Sequence, residues 1–240
     1  MTARVWAILR KEFQDYRRNK PILITAVLLP LVFAVLSMIA SLSVGANASP
    51  DSVESIVGSA MVLLLIIPVI IPTAIAAHTV IGEREQGTLE PLLSTPATDR
   101  EILVGKALSA WLPAVAISWL FFAVYVVGVR LFATDAVFDE VGKAHWFVAQ
   151  GLVTPALALL AVFVGMIASI RSSDVRVAQQ ISALALLPAL VVLSVISTHA
   201  VTPSVSTFIY AFAVLFALSA VTWRIVVRLF DRERLISHVG

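Results

Sequence analysis

The chain has 240 residues, 60% of them hydrophobic and 13% charged, with a formal net charge of +2 and a mean hydropathy of +0.97. That balance excludes a soluble domain of this size, whose water-facing surface needs about twice the charge, and a net charge this small is no nucleic-acid footprint. Without cysteine there is neither a disulfide framework nor a thiolate metal site, which leaves an all-α, polytopic membrane protein.

Residues 1–20 read as an amphipathic helix. Val5, Trp6, Ile8, Leu9, Phe13 and Tyr16 share one arc at 3.6 residues per turn, and Arg4, Arg10, Lys11, Gln14, Asp15, Arg17 and Arg18 fall largely opposite. Glu12 interrupts the apolar arc. The pattern suits an interfacial helix lying along a membrane; the plainer alternative is a charged flank of the first span. The basic region is too long for a signal peptide and no small-residue cleavage site follows it.

A bilayer core of about 30 Å takes about 20 helical residues. Six apolar runs meet that length: 21–44, 56–80, 107–129, 146–170, 177–198 and 204–229. Together with the first helix they make one transmembrane domain over 1–240. Of the 17 basic residues, all but Arg130 and Lys143 fall on one side if the spans alternate from an N-terminus inside the cell. This asymmetry predicts both termini in the cytoplasm. The outer segment 130–145 is either a short helix on the membrane surface or a solvated loop.

The stretch 82–106 between the second and third runs stands out. It is polar, lies on the cytoplasmic side in this topology, and is far longer than a turn requires. Thr88 can N-cap a short helix with Pro91 in its tolerant first turn. Leu89, Leu92 and Leu93 then share one face, and Pro96 ends the helix. Thr98 and Glu101 form a capping box for a second helix that enters the third span. An ordered amphipathic hairpin of this kind is a docking element.

Chemistry inside the spans is sparse. Every carboxylate lies outside them, and Arg224 and Arg228 can snorkel from the last turns of the sixth. That disfavours the first alternative, an ion-coupled secondary transporter, which needs an intramembrane acid or base. The second alternative, an intramembrane enzyme, lacks a catalytic pair. His78, His145, His199 and His238 form no i, i+4 metal pair, and serines such as Ser37, Ser118 and Ser194 stand without an elbow motif or a paired base. Hydroxyls of this kind commonly pack helices. Pro30, Pro68, Pro72, Pro113, Pro155 and Pro188 lie within spans, either as hinges or as tolerated bends. No phosphate-binding G-x-x-x-x-G-K-[ST] is present, since Gly105-Lys106 and Gly142-Lys143 are each followed by alanine.

The run Glu-Arg-Glu-Gln-Gly-Thr-Leu-Glu-Pro-Leu-Leu-Ser-Thr-Pro at 83–96, followed by Arg-Glu-Ile-Leu-Val-Gly-Lys at 100–106, resembles the cytoplasmic loop of ABC-2-type transporter permeases. The basic N-terminal helix and the six-span plan are similar too. The resemblance implies a prokaryotic plasma-membrane subunit of an ATP-driven exporter. ATP and magnesium would be bound by a separate ATPase subunit, with no cofactor in this chain. Glu83, Arg84, Glu85, Gly87, Thr88, Leu89, Glu90, Leu92 and Leu93 would form the ATPase interface. A second permease, identical or paralogous, would complete the pathway amid membrane lipid. An uncharged pathway favours lipids, hydrophobic drugs or peptides as cargo, and a small ion is a further possibility.

Overall fold

The structure, a computed structural model, describes residues 2–18, 20–76, 81–85, 87, 95–172, 174–187, 190–191 and 203–230. Helix α1 covers Thr2–Arg18, α2 Lys20–Leu42, α3 Pro50–Ala76 and α4 Ile81–Glu85. The long α5 runs Asp99–Phe132. The short α6 (Asp135–Val141) and α7 (Ala144–Val148) follow, and a π turn at Ala149–Val153 leads into α8, Thr154–Arg171. Helix α9 (Val175–Ser182) passes into a 3₁₀ turn at Ala183–Leu186, and α10 spans Val205–Leu229. All regular structure among the described residues is helical, as composition and hydropathy require.

Helix α3 is the centre of the bundle. Val57, Ala60, Met61, Ile67, Val69 and Ile71 are wholly buried, and α2, α5 and α8 pack around them. Helices α2 and α10 instead leave Leu28, Leu31, Leu36, Ile39, Ile209, Val214 and Phe216 exposed. A soluble monomer rarely leaves so much contiguous apolar surface uncovered, whereas lipid is a fitting solvent for it. Hydroxyls join the layers: Ser37 Oγ donates to the Ala60 carbonyl at 3.0 Å, and Ser41 Oγ lies 2.6 Å from Tyr125 Oη. Ser118 Oγ bonds back to the Ala114 carbonyl, so these serines are packing groups; Ser194 lies outside the described residues.

Among the described residues, four stretches are long and apolar enough to cross a membrane: Pro50–Thr73, Asp99–Phe132, Ala144–Arg171 and Val205–Leu229. They correspond to the second, third, fourth and sixth expected spans. The described apolar part of the first, Ala26–Leu42, is shorter, and of the fifth, residues 188–189 and 192–198 lie outside the described residues. Helix continuity through Pro30, Pro68, Pro72 and Pro113 shows these prolines tolerated within unbroken helices. The segment 130–145 contains a helix, α6, whose Val137 and Val141 are fully buried against α3 and α5.

The fourth span begins irregularly for a reason that lies in Pro155. In the π turn the Thr154 N–H donates to the Ala149 carbonyl, five residues back. The next bond of that kind, to Gln150, would come from residue 155, and proline has no N–H. The Trp119 indole on α5 fills the gap, donating to the Gln150 carbonyl at 2.9 Å. Trp111 does likewise for the Pro155 carbonyl at 2.9 Å. Two tryptophans of α5 thus satisfy carbonyls of the fourth span in a setting where water is absent.

Candidate functional site

A cluster of charged and hydroxyl side chains lies at one end of the bundle, where α1, α4 and the first turns of α5 meet. Helix α5 starts with the expected capping box: the Glu101 N–H donates to Thr98 Oγ1 at 3.3 Å, and the Thr98 N–H donates to Glu101 Oε2 at 2.8 Å. Arg4 of α1 ties onto the same corner, reaching the Pro96 carbonyl at 3.0 Å and Glu101 Oε2 at 3.5 Å.

One turn further along α5, the chain has no side chain where α1 crosses. A Cβ built on Gly105 would lie 2.8 Å from Ile8 Cγ2, closer than real contacts allow, so glycine sets the approach of the two helices. The next residue, Lys106, is 1% exposed. Its Nζ donates to Glu12 Oε1 at 2.9 Å and lies 2.9 Å from Glu83 Oε1. Lys11 Nζ reaches the same Glu83 oxygen at 2.9 Å, and Asp15 lies 3.8 Å from it. The cluster closes with Tyr16 Oη and Ser109 Oγ 2.9 Å apart.

Burial shapes the protonation of this cluster. Around Lys11, burial works against the cation, but the hydrogen bond and charge of Glu83, with Glu12 and Asp15, hold its ammonium above the ordinary value of 10.5. The Tyr16 phenol is pushed well above its usual range, first by burial and then by the Glu12 carboxylate. Lys11 therefore stays charged and Tyr16 neutral at physiological pH.

The interruption of the α1 apolar arc at Glu12 is thereby explained. Ile8, Glu12 and Tyr16 are the buried residues at successive i, i+4 positions, and the carboxylate meets the one buried lysine among the described residues. Of the residues expected at the docking surface, Glu83 is 6% exposed and faces this internal cluster. Arg84 and Glu85 stand on α4, with side chains outside the described residues. Gly87 has φ +65°, a left-handed turn that favours glycine. Thr88, Leu89, Glu90, Leu92 and Leu93 lie outside the described residues, as does the short helix expected there. Sequence reasoning missed the partnership of Lys11, Glu12 and Lys106. Its signal was a pair of complementary lone charges, Glu12 on an apolar arc and Lys106 at the mouth of an apolar run.

No group of three potential metal ligands occurs among the described residues. His145 stacks on Phe208 with ring centroids 6.3 Å apart; His78, His199 and His238 lie outside the described residues. The arrangement holds a helical scaffold and an ion cluster at one end of the bundle.

The family model described as ABC-2 family transporter protein matches residues 6–232. The chain belongs to this ABC-2 transporter family. Membership makes it a membrane transport protein, in keeping with the apolar helices. Among curated proteins, this ABC-2 chain is 34% identical over 111 residues to a probable ABC transporter permease protein, NosY, of Pseudomonas aeruginosa. It is 33% identical over 105 residues to the NosY of Stutzerimonas stutzeri. The matches cover 43% and 42% of this chain, and only 38% and 37% of those relatives.

Proposed function

We propose that the chain is the transmembrane permease subunit of an ATP-driven exporter, working by alternating access with an ATPase supplied in trans. It has six spans and both termini in the cytoplasm, and it pairs with a second permease. The loop 82–106 carries the coupling helix, whose Leu89, Leu92 and Leu93 fill a groove on the ATPase while Arg84, Glu85 and Glu90 flank the contact. ATP and magnesium belong to that partner.

The observation that carries this reading is the ion cluster at the root of the loop. Glu83, where the loop begins, and Lys106, where it ends, are clamped to each other and to Glu12 of α1. A displacement of the loop by the ATPase therefore moves α1 and α5 as one body. Helix α5 has 34 residues, about 51 Å at 1.5 Å per residue, and so outreaches a bilayer core of about 30 Å. Its first turns act as a lever outside the apolar layer, and its far end reaches the opposite surface. Re-packing of the bundle around α3 then opens one side or the other.

The test is co-purification of the ATPase with the full chain. A buried leucine contributes about 1.5–3 kcal/mol, and Leu92→Asp also brings a carboxylate into an apolar contact. ATPase recovery should fall more than about tenfold while membrane insertion is unchanged. Equal recovery with wild type would show that this face is not the docking surface.

A further inference from the structure

We infer that the cleft between α5 and α10 is a binding site for one anionic glycerophospholipid, its phosphate held by Arg100, Arg224 and Arg228 and an acyl chain lying along the apolar floor. The two helices make little contact with each other at this end. Between them lies a cleft of about 420 Å³ lined by Val104, Leu108, Phe163, Phe216 and Trp223 among others, nearly all apolar. Helix α8 supplies its floor through Leu159 and Phe163, and Phe163 packs on Trp223 with ring centroids 5.1 Å apart.

The cleft opens into a second recess that shares Trp223 and is lined by Arg100, Arg224, Val227 and Arg228. The two recesses adjoin at Trp223. Along α5, Arg100, Val104 and Leu108 recur every four residues, and along α10, Phe216, Ala220 and Arg224 do the same. Each helix thus runs from a guanidinium at the mouth to apolar side chains about 12 Å further in. That polarity matches a phospholipid: a charged head, then hydrocarbon.

Charge complementarity selects an anionic head. All three arginines are exposed, and none has an acidic partner among the described residues, in contrast to Arg4, Lys11, Lys106, Arg130 and Lys143. Three guanidiniums at one membrane end attract phosphate strongly and bind it bidentately. Trp223, half-buried between the two recesses, occupies the position that tryptophans favour at a membrane interface. The capping corner of Thr98 and Glu101 lies on the same end, so the lipid would brace the first turns of α5 against α10.

The experiment is native mass spectrometry of the full chain relipidated with equal amounts of phosphatidylglycerol and phosphatidylcholine. Wild type should retain phosphatidylglycerol in preference. Each guanidinium near the surface contributes roughly a fivefold preference, so Arg100→Gln/Arg224→Gln/Arg228→Gln should retain more than about tenfold less of it, with a smaller loss of phosphatidylcholine, whose phosphate is already balanced by its own ammonium. The matching triple Arg→Lys variant should keep most of the preference, and Arg130→Gln at the opposite end should keep all of it. Ala220→Phe, which fills the cleft from an exposed position, should reduce retention of both lipids. Equal phosphatidylglycerol retention by wild type and the triple glutamine variant would overturn the proposal. So would an Ala220→Phe chain that holds its lipid, or one that loses lipid-independent self-association, which would assign the cleft to a second copy.

Discussion

Lys106 is almost wholly enclosed, with Glu12 and Glu83 each 2.9 Å from its ammonium. Removing the lysine leaves the buried Glu12 carboxylate with Lys11 3.9 Å away, which is far costlier than the net value of the intact group. Lys106→Met should therefore lower unfolding stability by about 3–5 kcal/mol, read by unfolding in mixed micelles of rising dodecyl sulfate content. Adding Glu12→Gln to the same chain should recover part of the loss, because the carboxylate stripped of its close partner is gone. A loss below about 1 kcal/mol in the single variant would mean that water reaches the cluster. At this scale the sequence was legible where the interaction is local. The Thr98–Glu101 box spans three residues and could be read directly; the Glu12–Lys106 contact joins residues 94 apart and depends on how α1 crosses α5. The charge on the apolar arc of α1 was visible, but its partner was set by tertiary packing over Gly105.

The elements followed hydropathy closely where a span is regular and less closely where its backbone is not. The third span was expected from residue 107, yet its helix starts at Asp99, since the capping box and the polar first turns extend it beyond the apolar run. The fourth span opens with a π turn that no hydrophobic pattern encodes, because it hinges on which carbonyl is denied a donor by Pro155. Trp119 supplies that donor, which leads to a paired prediction. Trp119→Phe should cost about 1–3 kcal/mol by orphaning the Gln150 carbonyl. In a Pro155→Ala background, which restores an N–H at the i+5 position, the same substitution should cost measurably less. Equal costs in both backgrounds, measured by the same unfolding assay, would show that the indole contributes only packing. The short helix expected around Thr88–Leu93 is the element on which the proposed docking depends, and its test remains the Leu92→Asp co-purification.

For the whole molecule, membership in the ABC-2 family agrees with the class read from composition and from the loop at 83–106. Four stretches long enough to cross a membrane are present among the described residues; the topology of six belongs to the proposal and makes a direct prediction. Single cysteines at Ser52 and Ala136 should react with an impermeant reagent applied to intact cells, and one at Thr95 should react only after permeabilisation. Outside labelling at Thr95 would place the ion-clamped end, and with it the docking loop, on the wrong side for an ATPase in the cytoplasm. The central claim, that this chain is a permease paired with another and driven by an ATPase in trans, is tested most directly by the detergent-corrected mass of the purified complex together with its ATP hydrolysis. The account predicts a particle of two permease chains and two ATPase subunits that hydrolyses ATP; a stable, transport-active particle with a single permease copy, or a permease pair that never retains an ATPase, would contradict it.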